Sequence, residues 1–135
     1  MPTSEYVNRI FKHLGTREFE EFFKQVADDV QWTVLGTHPL SGFYRDKQSF
    51  MRHTFARLNR VMVDRVKLRV DHIFTSGDMA VVEMTSHATA KNGKPFRNRY
   101  CWVVRFHQDM IVEVRAYLDS ALVAQVLAEN ERAAA

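Results

Sequence analysis

The residues able to do chemistry concentrate in the second half of the chain: Glu83, Thr85, His87, Asn98 and Tyr100, with Trp32 and Trp102 as flat apolar platforms. A carboxylate on an inward, apolar strand is desolvated; its pKa rises, and it becomes a general acid or base near neutral pH. That is the chemical reading of Glu83, and its structural alternative is a hydrogen bond to Tyr100, Trp102 or His72. His87 can act as a base, a ligand contact or a satisfied wall residue. Tyr100 and Asn98 can donate to a ligand carbonyl. Glu83 and His87 lie four residues apart on one expected strand, roughly 13 Å, too far for a direct pair. His13, His38, His53 and His107 have no metal-ligand spacing, and no phosphate loop, serine elbow or Cys/His pair is present. No metal and no cofactor are therefore expected, and Asp119 reads as a helix cap.

The inward list depends on hairpin register. A two-residue Asn92-Gly93 turn pairs Lys91 with Lys94. Counting back, His87 then lies opposite Asn98, Thr85 opposite Tyr100, and Glu83 opposite Trp102, each pair sharing a face. A three-residue His107-Gln108-Asp109 loop, with Asp109 left-handed, sets Trp102 against Val114, Tyr100 against Ala116 and Asn98 against Leu118. The apolar parity Val112, Val114, Ala116 and Leu118 should face the helices, and Ala116 should leave space beside Tyr100. The expected catalytic candidates are Glu83, His87 and Tyr100. Trp32, Thr85, Asn98, Trp102 and Ala116 are the expected ligand contacts.

Those strands need helices to cover them. Val7, Ile10, Phe11 and Leu14 form one helical stripe between Ser4 as cap and Gly15 as stop; Phe19, Phe22, Phe23 and Val26 form a second. Residues 31–35 read as a strand and 36–42 as a loop. A third helix is expected over 46–60, with Asp46 as cap and Phe50, Met51, Thr54, Phe55 and Leu58 on one face. From 63 to 74 the pattern alternates, with Val66, Leu68, Val70, His72 and Phe74 facing one way. Strands follow over 79–90, 96–106 and 110–118, then a short helix over 120–129. Three helices and a strand followed by a four-strand meander predict an α+β domain, with a curved antiparallel sheet wrapped around the N-terminal helices.

Composition limits the function classes. The 135 residues are expected to form a single domain, 1–135; 46% are hydrophobic and 26% charged, as in globular proteins. The single cysteine, Cys101, excludes an internal disulfide framework and fits a reduced compartment. The start, Met1-Pro2-Thr3-Ser4-Glu5, shows no export signal, no membrane span is present, and a cytoplasmic location is expected. A net charge of +3 is mild. The outer sheet face, with Arg65, Lys67, Arg69, Arg97, Arg99, Arg105 and Arg115 interspersed among other residues, reads as a solvated charge ladder or a homodimer contact rather than a nucleic-acid stripe.

Three stretches carry a family resemblance: Ala27-Asp28-Asp29-Val30-Gln31-Trp32, Gly42-Phe43-Tyr44, and Met110-Ile111-Val112-Glu113-Val114-Arg115-Ala116-Tyr117-Leu118-Asp119. With the element order, they resemble the nuclear transport factor 2-like superfamily, in its ketosteroid-isomerase-like and polyketide-cyclase-type (SnoaL-like) branches. The resemblance implies a cone-shaped domain with a pocket between helices and sheet, and often a homodimer. It does not carry over a catalytic set. The isomerase base, tyrosine and second acid fall on Val34, near Ile10 and near Trp102. The epoxide-hydrolase positions fall on Glu83, Thr85, Ala116, Trp32 and Val34. His87 matches the cyclase histidine, but 98–104 holds no carboxylate for its acid. Two functions stay open. One is a binder of a small, largely hydrophobic molecule, homodimeric through the outer sheet face. The other is a cofactor-independent isomerase, cyclase or hydrolase with Glu83 or His87 as acid/base and Tyr100 and Asn98 as donors.

Overall fold

The computed structural model describes residues 1–134, with side chains through Glu131. The order is α1 (Ser4–Phe11), α2 (Phe19–Phe23), β1 (Val26–Val34), β2 (Gly42–Tyr44), α3 (Lys47–His53), α4 (Phe55–Asn59), β3 (Lys67–Ser76), β4 (Met79–Thr89), β5 (Pro95–Phe96), β6 (Arg99–His107), β7 (Met110–Leu118) and α5 (Ser120–Ala134). One sheet runs β2-β1-β7-β6-β4-β3, with β5 paired to β4. Among the described residues only the β1–β7 pairing is parallel. The expected α+β class holds: the sheet curls around a core built from one face of its strands and the helical stripes. Phe11, Phe22, Trp32, Phe96 and Trp102 are almost fully enclosed. Burying each such ring contributes about 1.5–3 kcal/mol.

The helices start and break for local reasons. Thr3, not Ser4, caps α1, its Oγ1 accepting from Tyr6 N at 3.1 Å. Asp46 caps α3 as expected, accepting from Ser49 N at 2.6 Å. The single helix expected over 46–60 is two, divided at Thr54 (φ −116°, ψ −85°). The Thr54 hydroxyl donates back to Phe50 O at 2.6 Å, a bond that competes with helix continuation.

Two hairpins differ from expectation, and one difference moves the site. Ala90 N donates to Lys94 O and Gly93 N to Ala90 O, so the first loop is Lys91-Asn92-Gly93. Only Gly93 has a left-handed φ (+87°); a two-residue turn would need one at Asn92 as well. The loop is therefore three residues long with a glycine bulge, and β4 slips by one against β6. Glu83 pairs with Cys101, Met84 with Tyr100, and Val82 with Trp102. A one-residue slip turns every side chain to the other face. Glu83, Thr85 and His87 thus lie on the outer face, and Val82, Met84 and Ser86 are the fully enclosed ones.

The second hairpin is a two-residue turn with Gln108 at φ 51° and Asp109 at φ 65°. A bulge between Arg105 and Phe106 restores the expected parity two residues out of register: Trp102 meets Ala116 and Tyr100 meets Leu118. A third bulge, between Val70 and His72, breaks the alternation expected in β3. Leu68 is enclosed, whereas His72 and Phe74 turn outward.

Candidate functional site

An apolar space lies between the β1-β7-β6 face and α3–α4. Trp32 and Val34 come from β1, Tyr100 and Trp102 from β6, and Ala116 and Leu118 from β7. Phe50, Thr54, Phe55 and Leu58 close it from the helices, with Leu40 from the β1–β2 loop and Val123 from α5. The volume is about 40 Å³, little more than the roughly 30 Å³ share of one water. Every lining residue is buried except Leu118, which is half-buried.

Register explains the lining. Val34, Ala116, Trp102 and Val82 form one cross-strand row. The methyl of Ala116 between Val34 and Trp102 is the small member that leaves space. Trp32 stacks on Phe50 at 3.8 Å between centroids and meets Trp102 edge-on at 5.1 Å.

The polar groups here are few and underused. The Trp32 and Trp102 Nε1 atoms are buried and have no hydrogen-bond partner among the described residues. Leaving one buried donor unpaired costs about 1–3 kcal/mol, so two on one wall need an explanation. Burial holds the Tyr100 phenol well above its ordinary pKa, partly offset by a hydrogen bond with Ser86, so Tyr100 stays protonated. Thr54 spends its hydroxyl proton on Phe50 O. No carboxylate, imidazole, amine or thiol lines the cavity among the described residues.

Four of the eight expected site residues therefore come together here: Trp32, Tyr100, Trp102 and Ala116. The other four do not. Glu83, expected inward, is exposed and faces His72 Nδ1 at 3.2 Å. Thr85 donates to Asp71 Oδ2 at 2.6 Å on the outer face. That hydroxyl, with Arg69 beside it, holds the Asp71 carboxyl below its usual range. His87 sits opposite Lys67, half-buried in a surface cleft beside Asn8 and Thr16. Asn98 is enclosed, but its side chain is consumed by structure: Oδ1 accepts from Arg99 N and Asp119 N, and Nδ2 donates to Asp119 O. It clamps the start of β6 to the end of β7.

Sequence reasoning missed the helical half of the cavity. Phe50, Thr54 and Leu58 recur at i, i+4 and i+8, and the stripe reads as ordinary core. The hydroxyl within it was the available signal. Leu40 had none, since its position follows from His38. That buried ring accepts from Leu40 N at 3.1 Å through Nδ1 and donates from Nε2 to Leu35 O at 3.2 Å. Desolvation lowers the His38 pKa.

Among the described residues, no group of three His, Cys, Asp or Glu could hold a metal ion. No helix among them is long and apolar enough to cross a membrane.

Comparison with known proteins places this geometry in context. The family pattern described as the SnoaL-like domain matches residues 7–114. The dimerizing cyclase phiC of a fungal species is 31% identical over 130 residues, covering 93% of this chain and 57% of that protein. The dimerizing cyclase tstC of Talaromyces stipitatus is 29% identical over 120 residues, covering 86% of this chain and 53% of that one. The chain thus spans about half the length of these curated relatives. A solved nuclear transport factor 2-like protein from Burkholderia thailandensis superposes with a TM-score of 0.78 at 25% identity, covering 94% of this chain and 98% of that one.

Proposed function

The chain belongs to the SnoaL-like domain family, and on that premise we propose that it is a cofactor-independent cyclase-type enzyme acting on a small, largely hydrophobic carbonyl compound in the interior cavity. The observation that carries the reading is that Trp32 and Trp102, which line the cavity with Tyr100, each hold a buried, unpartnered indole N–H. A substrate carbonyl oxygen supplies the acceptor these donors lack. As a ring closes by attack on that carbonyl, charge grows on its oxygen. Donors in a dry site then stabilise the transition state more than the ground state. The names of the fungal relatives support the cyclase class.

The lining sets the mechanism. It offers donors and no base, so Glu83 and His87 on the outer face are not placed to take a proton from a substrate held inside. The substrate must therefore react as its enol, as a 1,3-dicarbonyl compound can: the enol carbon forms the new bond to the carbonyl carbon, and the enol O–H proton ends on the carbonyl oxygen as it becomes a hydroxyl. The protein's part is to fold the substrate into a reactive shape, exclude water and polarise the carbonyl. A substrate larger than about one water exceeds the resting cavity, so binding requires the lining to give, with half-buried Leu118 the most exposed member.

The outer sheet face supports a homodimer. Phe74, Val81 and Val103 run across β3, β4 and β6 as an apolar row, beside Cys101 and Tyr117 and flanked by charges. Phe74 is 58% and Tyr117 45% exposed. The second reading, a non-catalytic binding module with the same cavity, is favoured by the absence of any base among the described lining residues.

Thermal-shift screening against steroids, polyketide-like aromatics, terpenoids and fatty acids, followed by product analysis of each hit, separates the two. A cyclase converts a hit. Tyr100→Phe then lowers turnover about 10²-fold, typical for one oxyanion donor, while affinity stays within about tenfold. A saturable shift without product supports the binding module. Turnover unaffected by Tyr100→Phe contradicts the mechanism.

A further inference from the structure

A second concavity lies on the opposite side of α3–α4, and its chemistry differs from that of the interior. It measures about 440 Å³ and is walled by Tyr44, Ser49, Arg52, His53, Arg57 and Arg60. Three guanidinium groups and an imidazole converge there, and no carboxylate lines the cleft among the described residues. Arg57 is the one arginine with an acidic partner among them: its Nε and Nη2 donate to Glu131 at 2.8 and 3.0 Å. That bidentate bond fixes the fork and leaves Nη1 unused. Arg52 and Arg60 are exposed and make no ion-pair contact among the described residues, although Arg60 lies near enough to Glu131 to help hold that carboxyl low. Like charges gathered on two short helices repel one another. α3 has seven residues and α4 five, too few for helix dipoles to account for the cluster.

Two aromatic groups stiffen the site. Tyr44 stacks on His53 at 6.0 Å and 20° and packs edge-on against Phe50 at 5.9 Å. Its hydroxyl donates to Leu40 O at 2.8 Å. Tyr44 is therefore the partition between this cleft and the interior cavity. The His53 Nδ1 faces Ser49 O at 2.9 Å, which makes Nδ1 the donor and leaves Nε2 free. Phe43, 52% exposed, extends the floor as an apolar shelf.

The geometry points to a binding site for an organic oxyanion, a carboxylate or phosphate group, held by Arg52, Arg57 and Arg60 with its apolar body on Phe43. Guanidinium forks match the planar, multi-oxygen geometry of these groups. The site is independent of the chemistry proposed for the interior, since none of its residues lines that cavity.

Calorimetric titration of the full chain with benzoate, benzamide and inorganic phosphate tests the proposal. The Arg52→Ala/Arg60→Ala double variant, checked for an unchanged melting temperature, runs alongside. Both positions are exposed, so the fold should survive. The expected result is saturable binding of benzoate or phosphate, weakened at least tenfold in the double variant and strongly at about 1 M salt, with no binding of neutral benzamide. Benzoate binding without phosphate assigns the carboxylate, and phosphate binding without benzoate assigns the phosphate. No binding of either below ~10 mM, equal binding of benzoate and benzamide, or binding that survives the double substitution would overturn the site.

Discussion

The sheet presents two faces whose polar groups are handled in opposite ways. On the outer face the chemically versatile side chains pair with one another: His72 with Glu83, Arg69 and Thr85 with Asp71, and Arg105 and Arg115 with Glu113. On the inner face Ser86 is satisfied by the backbone, whereas the two indole N–H donors of Trp32 and Trp102 have no partner among the described residues. The difference teaches where to look for function. Charges in water are solvated whether or not they pair, so an ion pair there indicates little. An unpaired donor away from water carries a standing cost, and it marks the place where a ligand improves the energy.

The largest expected contrast between the faces is in stability. Trp102→Ala should destabilise the protein by about 3–5 kcal/mol, as large-to-small core changes do. Glu83→Ala, across the strand pair on the outer side, should change it by no more than about 1 kcal/mol. Denaturant unfolding of both variants checks this. A Glu83→Ala cost equal to that of Trp102→Ala would break the assignment of faces, and with it the one-residue slip in the first hairpin.

A smaller effect is expected at the edge where the faces meet. Asn98→Ala leaves the Arg99 and Asp119 amides without their acceptor and should cost about 1–3 kcal/mol. Its signature is early hydrogen exchange at those two amides while the interior strand amides stay protected. Unchanged exchange there would remove Asn98 from its structural role and return it to the list of possible ligand contacts.

The smallest effects are in pH dependence, and their windows separate the two regions. Burial lowers the His38 pKa, so the unfolded chain takes up the proton first as pH falls. Its contribution is intact above the ordinary value of 6.5 and is lost as pH drops through the lower folded value. Asp71 is held low by Thr85 first and Arg69 next. Its contribution is intact above 3.8 and is lost as pH falls through the folded value. His38→Asn should flatten the melting-temperature decline that begins below about pH 6.5, and Thr85→Val should flatten only the limb below about pH 4. If Thr85→Val altered the higher window, the separation of the two regions would be wrong.

Much of the fold was legible in the sequence because period carries it. The stripes of Phe11, Leu14, Phe22 and Phe23, the Asp46 and Asp119 caps and the last three long strands follow from local rules. The parity of β6 and β7 followed from the apolar run of Val114, Ala116 and Leu118. The site was half legible. Trp32, Tyr100, Trp102 and Ala116 meet as expected because the apolar parity of β7 set their face and the bulge between Arg105 and Phe106 offset the shorter turn. Glu83, Thr85 and His87 were misplaced because Asn-Gly fits two hairpins, a two-residue turn and a three-residue loop with a glycine bulge. These differ by one residue, and one residue reverses a strand. The β3 bulge at Asp71 likewise left no mark on the pattern. The arginine cleft was not visible at all, since Tyr44, Arg52 and Arg60 converge only after the helix breaks at Thr54.

The central claim is that the two indole N–H groups inside the cavity await an acceptor. The chain has two tryptophans, so its nitrogen–proton correlation spectrum contains two indole cross-peaks, assignable by Trp32→Phe and Trp102→Phe. Titration with cyclohexanone, and with methylcyclohexane as a match in shape without an acceptor, is the direct measurement. The account predicts a saturable downfield shift of at least one indole proton with the ketone and none of that sign with the hydrocarbon. Two indole protons that stay in place at saturating ketone, or that move alike with both compounds, would contradict it.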